Sequence, residues 1–548
     1  MAHRCRCAGK SKAHGCRCAG ESKARLSGCA GSRRGQVVSR TEQLVEEWRS
    51  VYEAPEANVA HLLCDRHDPG AIAFSFVHDD LSTTDLSYGE LRHRSAKLAT
   101  VLAQAGVGTG TRVPVLMGKR PELITTLLAI WRLGAVHVPL FTAFATGAIE
   151  LRVVGSGAKL VITEPGQRQK LDPIDGIEIL QTGEEWEAAI DAATEQESPV
   201  AAGPQAPFLQ LYTSGTTGKP KGVPVPVRAL GGFHSYLHFG LDVTAEDVFW
   251  NAADPGWAYG LYYAIVAPMV AGRRSLLTYA GFSPEFTAKV IKEHRVSNFA
   301  GAPTMYRSMS KSGNLSGLQL RRASSAGEPL TPDVVEWAVQ ALGTEVRDHY
   351  GQTELGMVIG NGWHPDVARP LKDGSMGQPL PGHAAGVVDG VIAIDTENSP
   401  LLWFTGYHGA PELTAGRFSA DGRWYLTGDT GRVDDDGYFF FTARDDDLIL
   451  AAGYRIGPFD VESVLITHPS VADVAVVGLP DPEGIRGEVV AAFVVLTDPS
   501  GASDELATEL QVLVRDTYSK HAYPRAVSFV ESLPKTPSGK IQRYLLRK

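Results

Sequence analysis

Two short stretches carry residue types suited to phosphate chemistry. The first, LYTSGTTGKPKGVP, sets Gly215, Gly218 and Gly222 among Thr213, Ser214, Thr216 and Thr217, and adds Lys219 and Lys221. Backbone N–H groups, hydroxyls and two ammonium groups in one glycine-rich loop form a cationic, donor-dense surface for a polyphosphate. It is not a Walker A loop, which needs Ser or Thr after its lysine; Pro220 stands there and keeps a helix from starting at once. Kinase-type and motor-type NTPases are therefore poor fits. The second stretch, PKTPSGK, ends on Lys540, more than three hundred residues further on. A phosphate-seeking lysine so distant from the phosphate loop must be delivered by another part of the fold.

The elements that would position these residues alternate along the chain. In LSYGELRHRSAKLATVLAQAGVGTGTRVPVLM, Leu91, Ala96, Leu98, Val101 and Leu102 share one helical side; the helix stops at Gly106 and a strand Arg112–Met117 follows. PELITTLLAIWRLGAVHVPL repeats helix, glycine stop and strand, and the rhythm returns at SGAKLVIT, TAKVIKEHRVSNFAGAP and VVEWAVQALGTEVRDHYG. That alternation indicates parallel α/β layers. WYLTGDTGRV, the Asp434–Gly437 turn and YFFFTA read as a hairpin. Beyond it, VESVLITHPSVADVAVVGL and EVVAAFVVL indicate a small α+β unit. The expected architecture is α/β: a large N-terminal domain of layered α/β subdomains, residues 41–444, and a small α+β domain, residues 445–548, with the boundary at the charged run Arg444–Asp447, which reads as a hinge or as a solvated turn.

Composition bounds the function. A chain of 548 residues is too long for one compact core. Its formal charge of −10 argues against nucleic acid or an anionic membrane surface as the main partner. No apolar run reaches the length of a membrane span, and the basic N-terminus lacks the apolar segment of a secretory signal, so a cytoplasmic protein is expected. Five of the six cysteines (Cys5, Cys7, Cys16, Cys18, Cys29) lie in a short internal repeat near the N-terminus. That leader, residues 1–40, is either a soft-metal clip or a disordered segment upstream of the folded chain; its Cys-x-Cys pairs lack zinc-site spacing, which favours the second. With only Cys64 beyond it, a thioester-forming cysteine is not expected in the main body.

YTSGTTGKPKG resembles the signature loop of the adenylate-forming superfamily: acyl-CoA synthetases, luciferases and peptide-synthetase adenylation domains. Further stretches are similar to that family's motifs in the same order: AGEPL (326–330), HYGQTELG (349–356), WYLTGD (424–429), ARDDDLILAAGYRIGP and PKTPSGK. The resemblance spans roughly residues 41 to 548 and is closest to bacterial short- to medium-chain acyl-CoA synthetases.

The resemblance implies that a carboxylate attacks the α-phosphorus of ATP, pyrophosphate leaves, and the acyl group then passes to the thiol of CoA after the C-terminal domain rotates. Two anions must meet in the first step, so positive charge and Mg2+ are required. By the same resemblance Thr213, Ser214, Gly215, Thr216, Thr217, Gly218 and Lys219 hold the β- and γ-phosphates. Thr353 touches the α-phosphate, Glu354 holds Mg2+, and Lys540 reaches the α-phosphate and substrate carboxylate. Gly327, Glu328 and Pro329 form the adenine slot beside Tyr350, with Gly351 and Gln352 next to it. Asp429 clamps the ribose, an ionised carboxylate being able to accept from both hydroxyls, although capping of the TGDTG turn is an equal reading of the local sequence. Arg444 binds ribose from the hinge side, Asp446 is the hinge residue, and Arg455 contacts phosphate or nucleotide. Gly453, with Tyr454, lets the pantetheine chain pass closely. Thr213 and His468 fall at positions near the metal, though a histidine before proline at a helix end is more often structural.

This chain departs from the family's usual loop: Leu450 stands where lysine is often found, and Ala451 and Ala452 replace hydroxyl residues. The acyl pocket would be lined by Trp257, Ala258, Tyr259, Ala326 and Gly351. Acetate-specific relatives place tryptophan at the Gly351 position, so the expected acid is larger than acetate: short- or medium-chain, branched or aromatic, each further buried CH₂ contributing about 0.8 kcal/mol. Two alternatives stay open, a stand-alone adenylation enzyme loading an acyl carrier protein and a non-catalytic nucleotide-binding homologue. A lysine acyltransferase acting on Lys540 would remove its charge and block the first half-reaction.

Overall fold

In a computed structural model, residues 39–548 are described apart from 197, 214–219, 314, 316, 445–446, 452–453, 483–487, 537–539 and 548. The expected helix–glycine–strand rhythm is present. Ser87 opens the helix Tyr88–Gln104 with a capping box, its hydroxyl accepting from the Glu90 N–H while Glu90 reaches back to the Ser87 N–H. The strand Arg112–Leu116 follows, then the helix Pro121–Arg132 with proline in its first turn, then the strand Val136–Leu140.

Two large sheets result. One has six strands in the order 178–181, 160–163, 112–116, 136–140, 207–213 and 221–226, all parallel except the last. Apolar side chains cover both of its faces, as a parallel sheet requires. The other has thirteen strands. Its parallel centre runs through 72–77, 275–278, 249–251, 298–301, 322–326 and 346–352. From there it continues antiparallel through 356–360, 375–379, 439–444, 424–433, 391–395 and 385–388. The expected hairpin is the pair Trp424–Val433 and Phe439–Arg444. Residues beyond it build a separate apolar core around the antiparallel pair Val471–Pro480 and Glu488–Leu496, the helices Pro458–Leu465 and Asp504–Thr517, and the short strand Ala526–Phe529. No helix among the described residues is long and apolar enough to cross a membrane.

This arrangement places several candidate residues at the carboxyl ends of parallel strands: Thr213 ends one strand, Ala326 another and Gln352 a third. Ligands in open α/β sheets bind in the crevice beyond those ends. The subdomains are braced by Arg132, whose buried guanidinium bonds Asp65 through two nitrogens and Ser95 Oγ at 2.8 Å. Replacing Asp65 by Ala leaves that cation without its carboxylate. The expected loss is about 3–5 kcal/mol, read as a lowered midpoint in urea or thermal unfolding.

Candidate active site

Asp429 sits near the middle of the strand Trp424–Val433, and its carboxylate is buried. Its Oδ2 accepts from Tyr350 Oη at 2.6 Å and from Gln352 Nε2 at 2.7 Å. Arg444, directly opposite on the paired strand, holds Nε 3.7 Å from Oδ1. Gln352 is engaged at both ends, donating also to Thr427 O and accepting from Tyr425 Oη. The polar atoms of Tyr350 and Gln352, read from sequence as nucleotide contacts, are thus turned onto Asp429.

Glu354 is buried, and its Oε1 accepts from Tyr407 Oη at 2.8 Å. Tyr407 in turn accepts from Arg417 Nε at 2.9 Å, and Lys221 lies 5.3 Å from the Tyr407 ring centroid. The backbone of Thr353 is fixed by Tyr262, whose hydroxyl donates to the Thr353 carbonyl at 3.0 Å. Tyr262 belongs to a π-helical stretch, Leu261–Val266, a distortion that often marks functional sites. Neither Tyr407 nor Arg417 lies in a recognisable motif.

Lys540 is brought to this group. Water reaches the residue, but the packing around its ammonium lowers its pKa, and the Arg444 charge acts in the same direction. Glu328, Asp429 and Glu354 oppose that shift by attraction. Lys221 is lowered likewise, by burial first and then by Arg417 and Arg444, against Glu354. Four cations (Lys221, Arg417, Arg444, Lys540) therefore surround two carboxylates, Glu354 and Asp429. A locally cationic cleft of that kind concentrates a polyanion and stabilises charge moving onto its oxygens.

On the base side, Gly327 adopts φ +98°, and a Cβ built there would meet nothing within 4 Å. The backbone beside Glu328 and Pro329 is therefore open, and only glycine adopts that conformation without strain. Glu328 accepts from Arg307 Nη2 at 3.2 Å, and burial raises its pKa against the pull of Arg307, Lys540 and Lys535. Asp348, not singled out in the sequence, accepts from the Leu330 and His349 N–H groups, while its Oδ1 is buried without a donor. Burial pushes that carboxyl up to about 8.

The candidate acyl residues divide. Ala326, Ala258 and Tyr259 pack with the main core, whereas Trp257 packs against Phe141 and Phe144 in a different apolar cluster, with ring centroids 5.5 and 5.3 Å away. These candidates thus belong to more than one packing cluster. Tyr259 is held by a buried chain in which its hydroxyl meets Tyr236 Oη at 3.0 Å and Tyr236 meets His349 Nδ1 at 2.7 Å. His349 Nε2 faces the Asn361 carbonyl, so Nε2 carries the proton and Nδ1 accepts. Gly351 requires a correction. It lies at a bulge against the strand Gly356–Gly360, and a Cβ there would overlap the Gly356 carbonyl oxygen and approach Met357 Cα to 2.7 Å. Its missing side chain is demanded by the backbone, and is not by itself a measure of pocket volume.

His468 is engaged within the C-terminal unit: Nε2 lies 3.3 Å from Glu509 Oε1, and Nδ1 accepts from the Ser470 N–H at 3.2 Å. Among the described residues no group of three His, Cys, Asp or Glu could hold a metal ion. Both ring nitrogens of His468 thus face protein groups. Ser214, Gly215, Thr216, Thr217, Gly218, Lys219, Asp446 and Gly453 lie outside the described residues, as do the side chains of Tyr454 and Arg455.

The model of the AMP-binding enzyme family matches residues 64–393, and that of the AMP-binding enzyme C-terminal domain matches residues 460–540. The chain belongs to the AMP-binding enzymes. A curated relative in that family, acetyl-coenzyme A synthetase of Bacillus subtilis, is 35% identical over 525 residues, covering 89% of this chain and 90% of its own. The crystal structure of Brucella canis acyl-CoA synthetase superposes with a TM-score of 0.71 at 42% identity, over 92% of this chain and 96% of that one. A benzoate CoA ligase from Burkholderia xenovorans gives a TM-score of 0.77 at 27% identity, over 92% and 99%. Like these neighbours, this AMP-binding enzyme has the two-part architecture of the adenylate-forming superfamily.

A Gly351→Ala variant tests the bulge. With its Cβ driven into the Gly356 carbonyl, it is expected to lose about 1–3 kcal/mol of stability together with most of its activity, measured by thermal unfolding alongside acyl-adenylate formation.

Proposed function

We propose that Lys540, Thr353, Glu354 and Asp429 carry the adenylation of a carboxylic acid, and that the C-terminal domain then turns to allow acyl transfer to CoA. The chain is an AMP-forming carboxylic acid–CoA ligase, and enzymes of this kind use ATP, Mg2+ and CoA. The observation that carries the residue roles is the approach of Lys540, from the far end of the chain, to Asp429, Glu354 and Arg444. In this reading positive charge is brought to the place where a carboxylate would approach an α-phosphate.

In this reading the ribose hydroxyls donate to Asp429, which Tyr350 and Gln352 hold in place. The orphaned Oδ1 of Asp348 accepts from the adenine amino group, beside the open backbone at Gly327. Glu354 supplies one carboxylate to Mg2+, which typically takes one or two alongside phosphate oxygens and water. Thr353 and Lys540 meet the α-phosphate, and Lys221 and Arg417 add charge on the side of the leaving pyrophosphate. The domain boundary is placed at 444–445, where Arg444 ends the strand opposite Asp429. The substrate is read as an acid larger than acetate, on the small side chains of Ala258 and Ala326, with Tyr259 closing part of the space. An acyl carrier protein as acceptor, and acylation of Lys540 by a lysine acyltransferase, are further possibilities of the same chemistry.

ATP–pyrophosphate exchange over acetate, butyrate, hexanoate and benzoate, followed by AMP release with CoA or with a phosphopantetheinyl carrier, tests this reading. Faster turnover of butyrate, hexanoate or benzoate than of acetate is expected, with CoA as acceptor. Preference for acetate overturns the size argument, and exchange at background with every acid overturns the reaction.

Lys540→Ala is expected to slow adenylation by about 10²–10³-fold while leaving thioester formation from ready-made acyl-adenylate intact. Because Lys540 is lowered from its ordinary value, the free enzyme loses that proton below the usual lysine pKa of about 10.4. The kcat/KM for adenylation should therefore fall on the alkaline side from below that pH. Lys540→Arg should remove that limb, since a guanidinium stays protonated.

A further inference from the structure

The segment that carries Lys540 is a pinned hairpin. Lys535 and Ile541 form an antiparallel bridge; the Thr536 N–H donates to Lys540 O at 2.8 Å, and the Lys540 N–H donates to Thr536 Oγ1 at 3.1 Å. The Gln542 N–H closes the base onto Pro534 O at 2.8 Å. One foot of this hairpin is Lys535, 2.5 Å from Asp473 at the start of the strand Val471–Pro480.

The other foot is Arg543, which bonds Glu462 through Nη2 at 2.7 and 2.8 Å and Val476 O through Nε at 3.2 Å. Its Nη1 lies 3.5 Å from Asp447 Oδ2, and Arg547 Nη2 donates to Asp447 Oδ1 at 3.0 Å. Glu462 is itself fixed, accepting from the Val476 N–H at 2.7 Å. These groups are largely withdrawn from water: side-chain exposure is 19% for Arg543, 11% for Glu462 and 18% for Asp447.

Asp447 closes the charged run Arg444–Asp447 read as the hinge. Arg543 therefore links the end of that run, the helix Pro458–Leu465 and the strand Val471–Pro480 to a point three residues beyond Lys540. The three guanidinium nitrogens point to three different partners, Nη2 to Glu462, Nε to Val476 O and Nη1 toward Asp447, and a planar group tied on three sides is fixed in direction as well as distance, which a lysine would not do. We propose that Arg543 is the positioning residue of Lys540, holding the hairpin at the height from which the ammonium reaches the α-phosphate when the domain is docked for adenylation. The proposal rests on the adenylation role of Lys540.

Full-length Arg543→Ala, Arg543→Lys and Glu462→Gln proteins distinguish this from a pair that merely stabilises the domain. Three readouts are needed: ATP–pyrophosphate exchange with the acid best used by the unaltered protein, thioester formation from synthetic acyl-adenylate and CoA, and amide hydrogen exchange. Displacing Lys540 by about 1 Å should cost Arg543→Ala about 10²-fold in the first reaction. The second reaction should stay within about threefold, because Lys540 takes no part in it. Arg543→Lys should fall between the two proteins. Amide protection should be lost at Thr536 and Lys540 while Pro458–Leu465 and Val471–Pro480 keep theirs.

Equal losses in both half-reactions, no loss in either, or loss of protection through the helix and strand would overturn the proposal. If Arg543→Ala does not fold, Glu462→Gln gives the same comparison with the arginine in place. Absence of exchange in the unaltered protein speaks against the functional reading alone, and the amide protection pattern still decides whether Arg543 holds the hairpin.

Discussion

The carboxylate of Asp429 is the junction on which the nucleotide side of the site depends. Its own strand belongs to the antiparallel extension of the large sheet, and Arg444 faces it from the neighbouring strand. Tyr350 and Gln352 come from the last parallel strand of the same sheet. A carboxylate buried and held by two donors cannot reorient freely, so little reorganisation is needed when ligand hydroxyls meet its remaining acceptor capacity. The sheet centre and its extension are thereby locked in register at this carboxylate.

Around that fixed point the electrostatics are deliberately unequal. Lys221, Arg417 and Arg444 belong to the large part of the chain; Glu354 is tied to Arg417 through the Tyr407 hydroxyl, and Lys221 lies over the Tyr407 ring. Lys540 is the one member of the group supplied from the C-terminal unit. In water, charges a few ångströms apart interact weakly, whereas in a partly enclosed cleft the same separation is worth several times more. Withdrawing one ammonium would therefore change the field around Asp429 and Glu354 substantially while leaving their own hydrogen bonds in place.

Much of this was legible in the sequence, because the chemistry-bearing residues lie in compact motifs. TSGTTGKPKG, QTE, TGD and SGK each keep several functional groups within a few positions, and the glycine-punctuated α/β rhythm announced the parallel layers. The residues that escaped notice are those whose role exists only in three dimensions. Tyr407 and Arg417 come from an irregular stretch and a short turn, and nothing in their neighbours' identities points to Glu354. Asp348 stands one residue before the motif that was read, and its orphaned oxygen is visible only once its surroundings are known. Trp257, next to Ala258 in the chain, packs into a different cluster, which chain adjacency could not show. The bonds from Tyr350 and Gln352 to Asp429 were likewise not legible, because motifs record which residues occur together, not which atoms they use on each other.

The bulge at Gly351 bears on how such a protein changes over time. Any single substitution there collides with the return strand before it can alter the neighbouring cavity. A lineage exchanging this glycine for a bulky residue must first, or simultaneously, reroute the Thr353–Gly356 turn, which also carries Glu354. Changes at positions such as 258, 259 and 326 carry no such backbone penalty and can be tried one mutation at a time while the turn that carries Glu354 keeps its course.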